Sequence, residues 1–216
     1  NAKTRTISAA FTKIQVSSGV ELYLTQSNET ALAVSVSEQK YEERFKTTVE
    51  NGVLKIYYDN KGLTWANDKH RKLKVYLSFK ELEKITASGG ANVEMTNELT
   101  ANDLEMSFSS GTLFTGKLKT KFLVADLNSG AAIEAAGQTG KLTVSASCGA
   151  TFNGFDLVTE ICSASANSGG SVKIQVQKEL NASANSGGSI RYKGNAVLQK
   201  GNINSGGSVK NNNSRL

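Results

Sequence analysis

Between residues 88 and 216 the chain repeats itself, and that repeat restricts the possible folds more than any other feature. Asn167-Ser168-Gly169-Gly170-Ser171-Val172, Asn185-Ser186-Gly187-Gly188-Ser189-Ile190 and Asn204-Ser205-Gly206-Gly207-Ser208-Val209 are near copies. Degenerate copies precede them at Ser88-Gly89-Gly90, Ser109-Ser110-Gly111, Asn128-Ser129-Gly130 and Ser147-Cys148-Gly149. The aligned glycines are Gly90, Gly111, Gly130, Gly149, Gly169, Gly187 and Gly206, spaced by 21, 19, 19, 20, 18 and 19 residues. A period near twenty is the signature of a stacked repeat architecture.

The columns around that glycine alternate. Leu104, Leu123, Leu142, Cys162 and Leu180 stand seven before it, and Val93, Phe114, Ile133, Phe152, Val172, Ile190 and Val209 stand three after it. The residues between are mostly polar. Period two means strand with one buried face. A unit this short cannot bury its own apolar face, so neighbours must stack. Equal columns stacked at the strand spacing of about 4.8 Å form a parallel sheet, Leu on Leu and Ala on Ala. The fold expected is therefore all-β, a single-stranded right-handed parallel β-helix, or solenoid, with rungs of about 19 residues. Right-handed is expected because parallel crossovers favour that hand. An antiparallel meander or sandwich is the weaker alternative, since hairpins would not keep one residue type in register at a fixed period.

Each unit reads as strand, tight Ser-Gly bend, strand, short turn. The glycine supplies the positive φ a corner needs. Asn128, Asn167, Asn185 and Asn204, two before it, also tolerate corners and can stack as side-chain ladders. By parity Ser110, Ser129, Ser168, Ser186 and Ser205, with Cys148 in the same column, are expected to point inward. Cys148 and Cys162 occupy different columns, which predicts two free thiols.

Residues 1–87 follow the template loosely. Ile14, Val16, Ser18, Gly19, Leu22 and Leu24 fit one rung. Ala31 to Val36, Phe45 to Val49, Leu54 to Tyr58 and Leu73 to Phe79 read as further strands, and Asn51-Gly52 as a hairpin or corner. Ser37 to Phe45 is the one stretch suited to a turn or two of helix. The whole chain is read as one solenoid domain, 1–216, irregular with longer rungs over 1–87 and regular over 88–216. The polar tail Asn211-Asn212-Asn213-Ser214 is expected to cap the last rung.

Composition agrees. There are 20 glycines and no proline, and 17 of the glycines lie in residues 88–216. Each coil pairs on both sides, so nearly every strand N–H is needed and proline is excluded. No apolar run approaches a membrane span, and no signal peptide can be read, although the chain starts at Asn1. The net charge is +6, but no cluster of five or more cations exists. Lys69-His70-Arg71-Lys72 with Lys74 is the densest stretch. Two cysteines and one histidine, His70, are too few for a structural zinc site. A nucleophilic triad would have to use His70, in a charge-rich loop. Trp65, Tyr57, Tyr58 and Tyr76 lie among lysines, yet aromatic residues in strands usually pack, so no nucleic-acid partner is expected. No metal, cofactor or catalytic residue is assigned.

Phe11-Thr12-Lys13-Ile14-Gln15-Val16 with Gly19-Val20-Glu21-Leu22 resembles the start of the putative autotransporter adhesin, head GIN domain family. So do Asn51-Gly52-Val53-Leu54-Lys55-Ile56, Lys74-Val75-Tyr76-Leu77, Ile85-Thr86-Ala87-Ser88-Gly89 and Gly201-Asn202-Ile203-Asn204. The resemblance spans most of the chain and carries no catalytic motif. It implies a β-helical protein of the cell envelope, in the periplasm or at the surface, or a secreted protein. Such proteins are common in Bacteroidetes-type bacteria. A signal would have been removed from the precursor, and a lipid anchor is one form that the precursor can take.

One outward column stands out. Lys173, Arg191 and Lys210 stand four after the glycine in successive rungs. Stacking sets these cations side by side, where an anion such as an acidic glycan or a phosphate would be welcome. The expected function is non-catalytic binding or adhesion, toward a glycan or a surface protein, with no oligomeric state read from the chain. The alternatives are a carbohydrate-active enzyme on a β-helix and an envelope scaffold without soluble ligand. In the regular rungs Asp126, Glu134 and Glu179 have no acid one rung away in their own columns. A cleft with converging acids would favour the enzyme, and an Asn/Ser/Thr face the binder.

Overall fold

The computed structural model describes residues 2–62 and 71–213. His70 and Trp65 lie outside the described residues, and so does Ser214 of the tail. The strands join in a single hydrogen-bonded sheet that winds into a β-solenoid of about seven turns at roughly 19-residue spacing.

The regular part comprises β8 (Lys84–Ala87), β9 (Asn92–Met95), β10 (Leu99–Phe108), β11 (Leu113–Leu127), β12 (Ala132–Ala146), β13 (Thr151–Ala166), β14 (Ser171–Ala184), β15 (Ser189–Lys193), β16 (Val197–Ile203) and β17 (Ser208–Asn211). Every pairing among them is parallel. Leu104, Leu123, Leu142, Cys162 and Leu180 lie in register and are buried. Phe114, Ile133, Phe152, Val172 and Ile190 form the buried column across the core. Parallel stacking at a fixed period therefore follows from the column chemistry, as expected.

Two local expectations fail. First, a rung is not two strands with two turns. From β11 to β14 each strand runs unbroken for 14 to 16 residues between Ser-Gly corners. Direction changes again inside the strand: the ladder skips a pair at Lys121, Gly140 and Glu160 in successive rungs, and the register also slips between Glu134 and Ala136 and between Gly154 and Val158. A bulge bends a strand without breaking its ladder for long.

Second, the serines before the corner glycines do not point inward. Ser110, Ser129, Ser168, Ser186 and Ser205, and Cys148 with them, have φ between +49° and +59° and are exposed. The corner is a turn with positive φ at both central residues, the type I′ geometry. In the turn around Gly169, Ser168 has φ +49° and Gly169 +74°, and the Gly170 N–H donates to Asn167 O at 2.8 Å. Strand parity stops at such a turn, so the serine faces out. The corners stack through backbone: Gly149 N–H donates to Ser168 O, Gly169 N–H to Ser186 O and Gly187 N–H to Ser205 O, at 3.1–3.2 Å. The asparagine ladder forms at one step, where Asn185 Nδ2 donates to Asn167 Oδ1 at 3.3 Å. Both cysteines are free thiols, Cys162 buried and Cys148 exposed.

The N-terminal third is not a set of longer rungs. β2 (Lys13–Val16) and β3 (Val20–Gln26) form one regular rung, with Ser18 and Gly19 at its positive-φ corner. The chain then leaves the stack. β4 (Ala31–Val36) pairs antiparallel with β7 (Leu73–Phe79), β1 (Lys3–Arg5) antiparallel with β4, and β5 (Phe45–Glu50) antiparallel with β6 (Val53–Tyr58) across the Asn51-Gly52 hairpin. Between β4 and β5 a single 3₁₀ turn occupies Gln39–Tyr41. β6 and β7 return as a parallel rung on one side of β2–β3, while β8 and β9 stack on its other side. The order in space is thus β6–β7, β2–β3, β8–β9. The antiparallel strands cover the edge that a parallel stack would otherwise leave open. Phe45 and Tyr41 are buried beneath them, Arg5 lies 5.3 Å from the Phe45 ring, and Lys3 pairs with Glu42 at 2.7 Å. At the other end, the Asn213 side chain receives the Gly194 N–H at 2.8 Å and donates to Gly194 O at 3.0 Å, standing in for one further strand residue.

Candidate functional site

Register places Lys173 beside Arg191 and Arg191 beside Lys210. Rung spacing therefore sets the three cations about 4.8 Å apart along the backbone. No ion pair is recorded for any of them among the described residues, whereas Lys3, Lys40, Lys55, Lys74, Lys84, Lys117 and Lys178 each pair with a glutamate. Lys173 is half-buried, Arg191 and Lys210 exposed.

The column runs on through the molecule. Beyond Lys173 come Asn153, Glu134, Thr115, Glu94, Tyr23 and Tyr76, each in register with the next. One outward line is thus basic at the C-terminal end, acidic in the middle and aromatic at the capped end. Tyr23 and Tyr76 stack at 5.2 Å between centroids with an interplanar angle of 12°. The Tyr23 hydroxyl donates to Glu21 at 3.2 Å, and partial burial and that carboxylate raise its pKa. Lys74 reaches Glu21 at 3.0 Å, which raises the ammonium pKa. The tyrosines belong to a chain segment far from the basic residues. Spacing from the corner glycine puts Tyr23 and Glu94 in the same column, but only the threading of β2–β3 brings the two together.

On the other half of the rung the outward residues are small and polar: Thr86, Ser107, Asp126, Ser145, Ser165 and Ser183 follow one another in register. Asp126, Glu134 and Glu179 have no acid beside them, as the column arithmetic implies. Two other acid pairs line one cavity. Glu81 and Glu83 share an open cavity of about 870 Å³ with Asp103, Glu105, Lys84 and Phe122. The chain brings Glu105 against Glu83, whose carbonyl receives the Glu105 N–H at 2.8 Å. The spacing of two within each pair is legible in the sequence; that the pairs lie in adjacent rungs follows from the pairing of β8 with β10. Glu105 is committed to Lys84 at 2.7 Å, and Glu83 accepts the Thr12 hydroxyl at 2.9 Å. Glycoside hydrolysis needs one carboxyl held protonated, usually by burial. None of these carboxylates is buried.

Thr120, Thr139 and Thr159 form a buried column that hydropathy does not reveal. Thr120 donates to Thr139 at 2.8 Å, and Thr139 to Lys141 O at 3.4 Å. No helix among the described residues is long and apolar enough to cross a membrane.

Comparison with known proteins gives one family. The family model described as putative auto-transporter adhesin, head GIN domain, matches residues 10–196. No curated protein matches the sequence. Among solved structures, a putative adhesin from Bacteroides fragilis superposes with a TM-score of 0.86 at 19% identity, covering 98% of this chain and 96% of that one. A putative adhesin from Parabacteroides merdae gives 0.74 at 20% identity, covering 98% and 95%. A protein described as a putative lipid binding protein from Parabacteroides distasonis gives 0.69 at 17%, covering 98% and 96%. At these identities the likeness is one of fold.

Proposed function

The chain belongs to the putative auto-transporter adhesin, head GIN domain family, and from that membership we propose that it is a non-catalytic binding protein of the cell envelope whose ligand is an acidic glycan. The observation that carries this reading is the stack of Lys173, Arg191 and Lys210, in register and without ion-pair partners among the described residues. Cations held side by side at the strand spacing repel one another, and an anion with a comparable repeat relieves that repulsion. A polyanionic sugar chain running along the stack meets one cation per rung. The Asn153 and Thr115 side chains farther along the column offer hydrogen bonds to hydroxyls. The family supports an envelope or surface location, which suits such a ligand.

The test is binding to an array of acidic and neutral glycans. Lys173→Glu with Arg191→Glu should weaken binding to acidic glycans at least about tenfold, and salt should weaken the wild type likewise. Unchanged binding by the double variant sinks the proposal.

A second reading, cleavage of a polysaccharide, is supported by the acids gathered in the cavity around Lys84. It requires turnover that Glu83→Gln with Glu105→Gln abolishes. Release of no reducing ends from an acidic or neutral polysaccharide panel ends that reading.

A further inference from the structure

A second outward column, far from the basic one in the rung, alternates charge and apolar bulk. Its members are Asp103, Phe122, Lys141, Ile161, Glu179 and Val197, each in register with the next. Phe122 is 51%, Ile161 39% and Val197 68% exposed. Among the described residues Asp103, Lys141 and Glu179 have no ion pair, while neighbouring Lys178 and Glu160 are paired at 2.7 Å. Exposed large apolar residues at every second rung, divided by unpaired charges of alternating sign, are not explained by solvation.

We propose that this wall is a homodimer interface in which a second copy of the chain packs face to face with its stack axis reversed. The five-member run from Phe122 to Val197 is self-complementary throughout under one operation. A two-fold axis lying along the strand direction at Ile161 puts Ile161 on the partner's Ile161. It sets Lys141 against the partner's Glu179, Glu179 against the partner's Lys141, and Phe122 against the partner's Val197. A two-fold along the stack axis would instead oppose Lys141 to itself and Glu179 to itself. Charge thus selects the antiparallel arrangement, which is isologous and closed.

A flanking column agrees. Nearer the corner, Thr143, Ser163 and Asn181 lie in register, so Ser163 meets Ser163 and Thr143 meets Asn181. Apolar faces apolar and polar faces polar across both columns. The rungs from Phe122 to Val197 span four strand spacings, about 19 Å. That is a modest contact, and it predicts a concentration-dependent dimer.

Sedimentation velocity over a wide concentration series tests this. The wild type should dimerise reversibly. Lys141→Glu should weaken dimerisation at least about tenfold, because two carboxylates then oppose each other. Lys141→Glu combined with Glu179→Lys should restore it. All these side chains are exposed, so thermal melting of each variant should match the wild type. In a Cys148→Ser background, Ser163→Cys should give a disulfide-linked dimer, because the two-fold brings that position onto its own copy. A wild type that stays monomeric throughout overturns the proposal, whatever glycan it holds. So does a charge-swapped double variant no tighter than Lys141→Glu, or a dimer that Ser163→Cys fails to cross-link.

Discussion

At the corner, two adjacent glycines do different work. Gly187 has φ +75° with open space where a Cβ would stand. Gly188 follows it with ordinary φ, yet a Cβ there would lie 2.0 Å from Ala166 O in the rung below. The first needs glycine for conformation, the second for close approach. Gly187→Ala should therefore cost about 1 kcal/mol. Gly188→Ala should cost more, about 3 kcal/mol, since a backbone oxygen must move. Urea unfolding of the two variants checks the order. Earlier corners carry Ala131 and Ala150 at the second position and stay closed, so the double glycine marks the tighter C-terminal corners. The cysteines make a second residue-scale pair. Burial pushes the Cys162 thiol up to about 12, while an unfolded thiol ionises near about 8.5. Between those values the unfolded chain loses the proton and the native chain keeps it, so stability falls as pH rises through that window. Below it the contribution does not vary. Cys162→Val should flatten the alkaline fall of the melting midpoint relative to wild type. In native protein a thiol reagent should titrate Cys148 quickly and reach Cys162 only on unfolding.

Among the elements, the long strands β11 to β14 hold the molecule together through whole columns. Leu142 lies between Leu123 and Cys162 and is fully buried. Leu142→Ala should cost about 2–5 kcal/mol, because rungs above and below prevent collapse onto the cavity. The buried threonines behave differently. Thr139→Val leaves the Thr120 hydroxyl, which donates to it at 2.8 Å, without its partner, and should cost about 1–3 kcal/mol. Adding Thr120→Val should return much of that loss. A double-mutant cycle by chemical denaturation measures the coupling. Period-two patterning identified these strands but not their length. The bend inside these strands falls where the ladder skips a pair at Lys121, Gly140 and Glu160, which leaves no turn residues to read.

For the molecule as a whole, the arrangement of β6–β7, β2–β3 and β8–β9 has a kinetic and a thermodynamic consequence. The rung nearest the N-terminus lies inside the stack, paired on both sides. Its amides, at Ile14 and Val16 for example, should exchange with deuterium as slowly as those of β12. The amides of β17, paired on one side by β15, should exchange much faster. Fast exchange at β2 would contradict the threading. The sequence by itself determined the repeat, the parallel stacking, the corner positions, the buried columns and the adjacency of Lys173, Arg191 and Lys210. All of these follow from one local rule, that equal residues at a fixed period must lie over one another. It also marked Asn51-Gly52 as a reversal and 37–45 as the one helical stretch. Tertiary structure alone decided which rung neighbours which where the period lapses, before residue 88. An antiparallel cap and a threaded rung satisfy the same apolar alternation as longer parallel rungs, so hydropathy does not distinguish them. It also decided which way the corner serines face, because two successive positive-φ residues cancel strand parity. Edge coverage and backbone geometry settle those questions, and both depend on contacts between residues far apart in the chain.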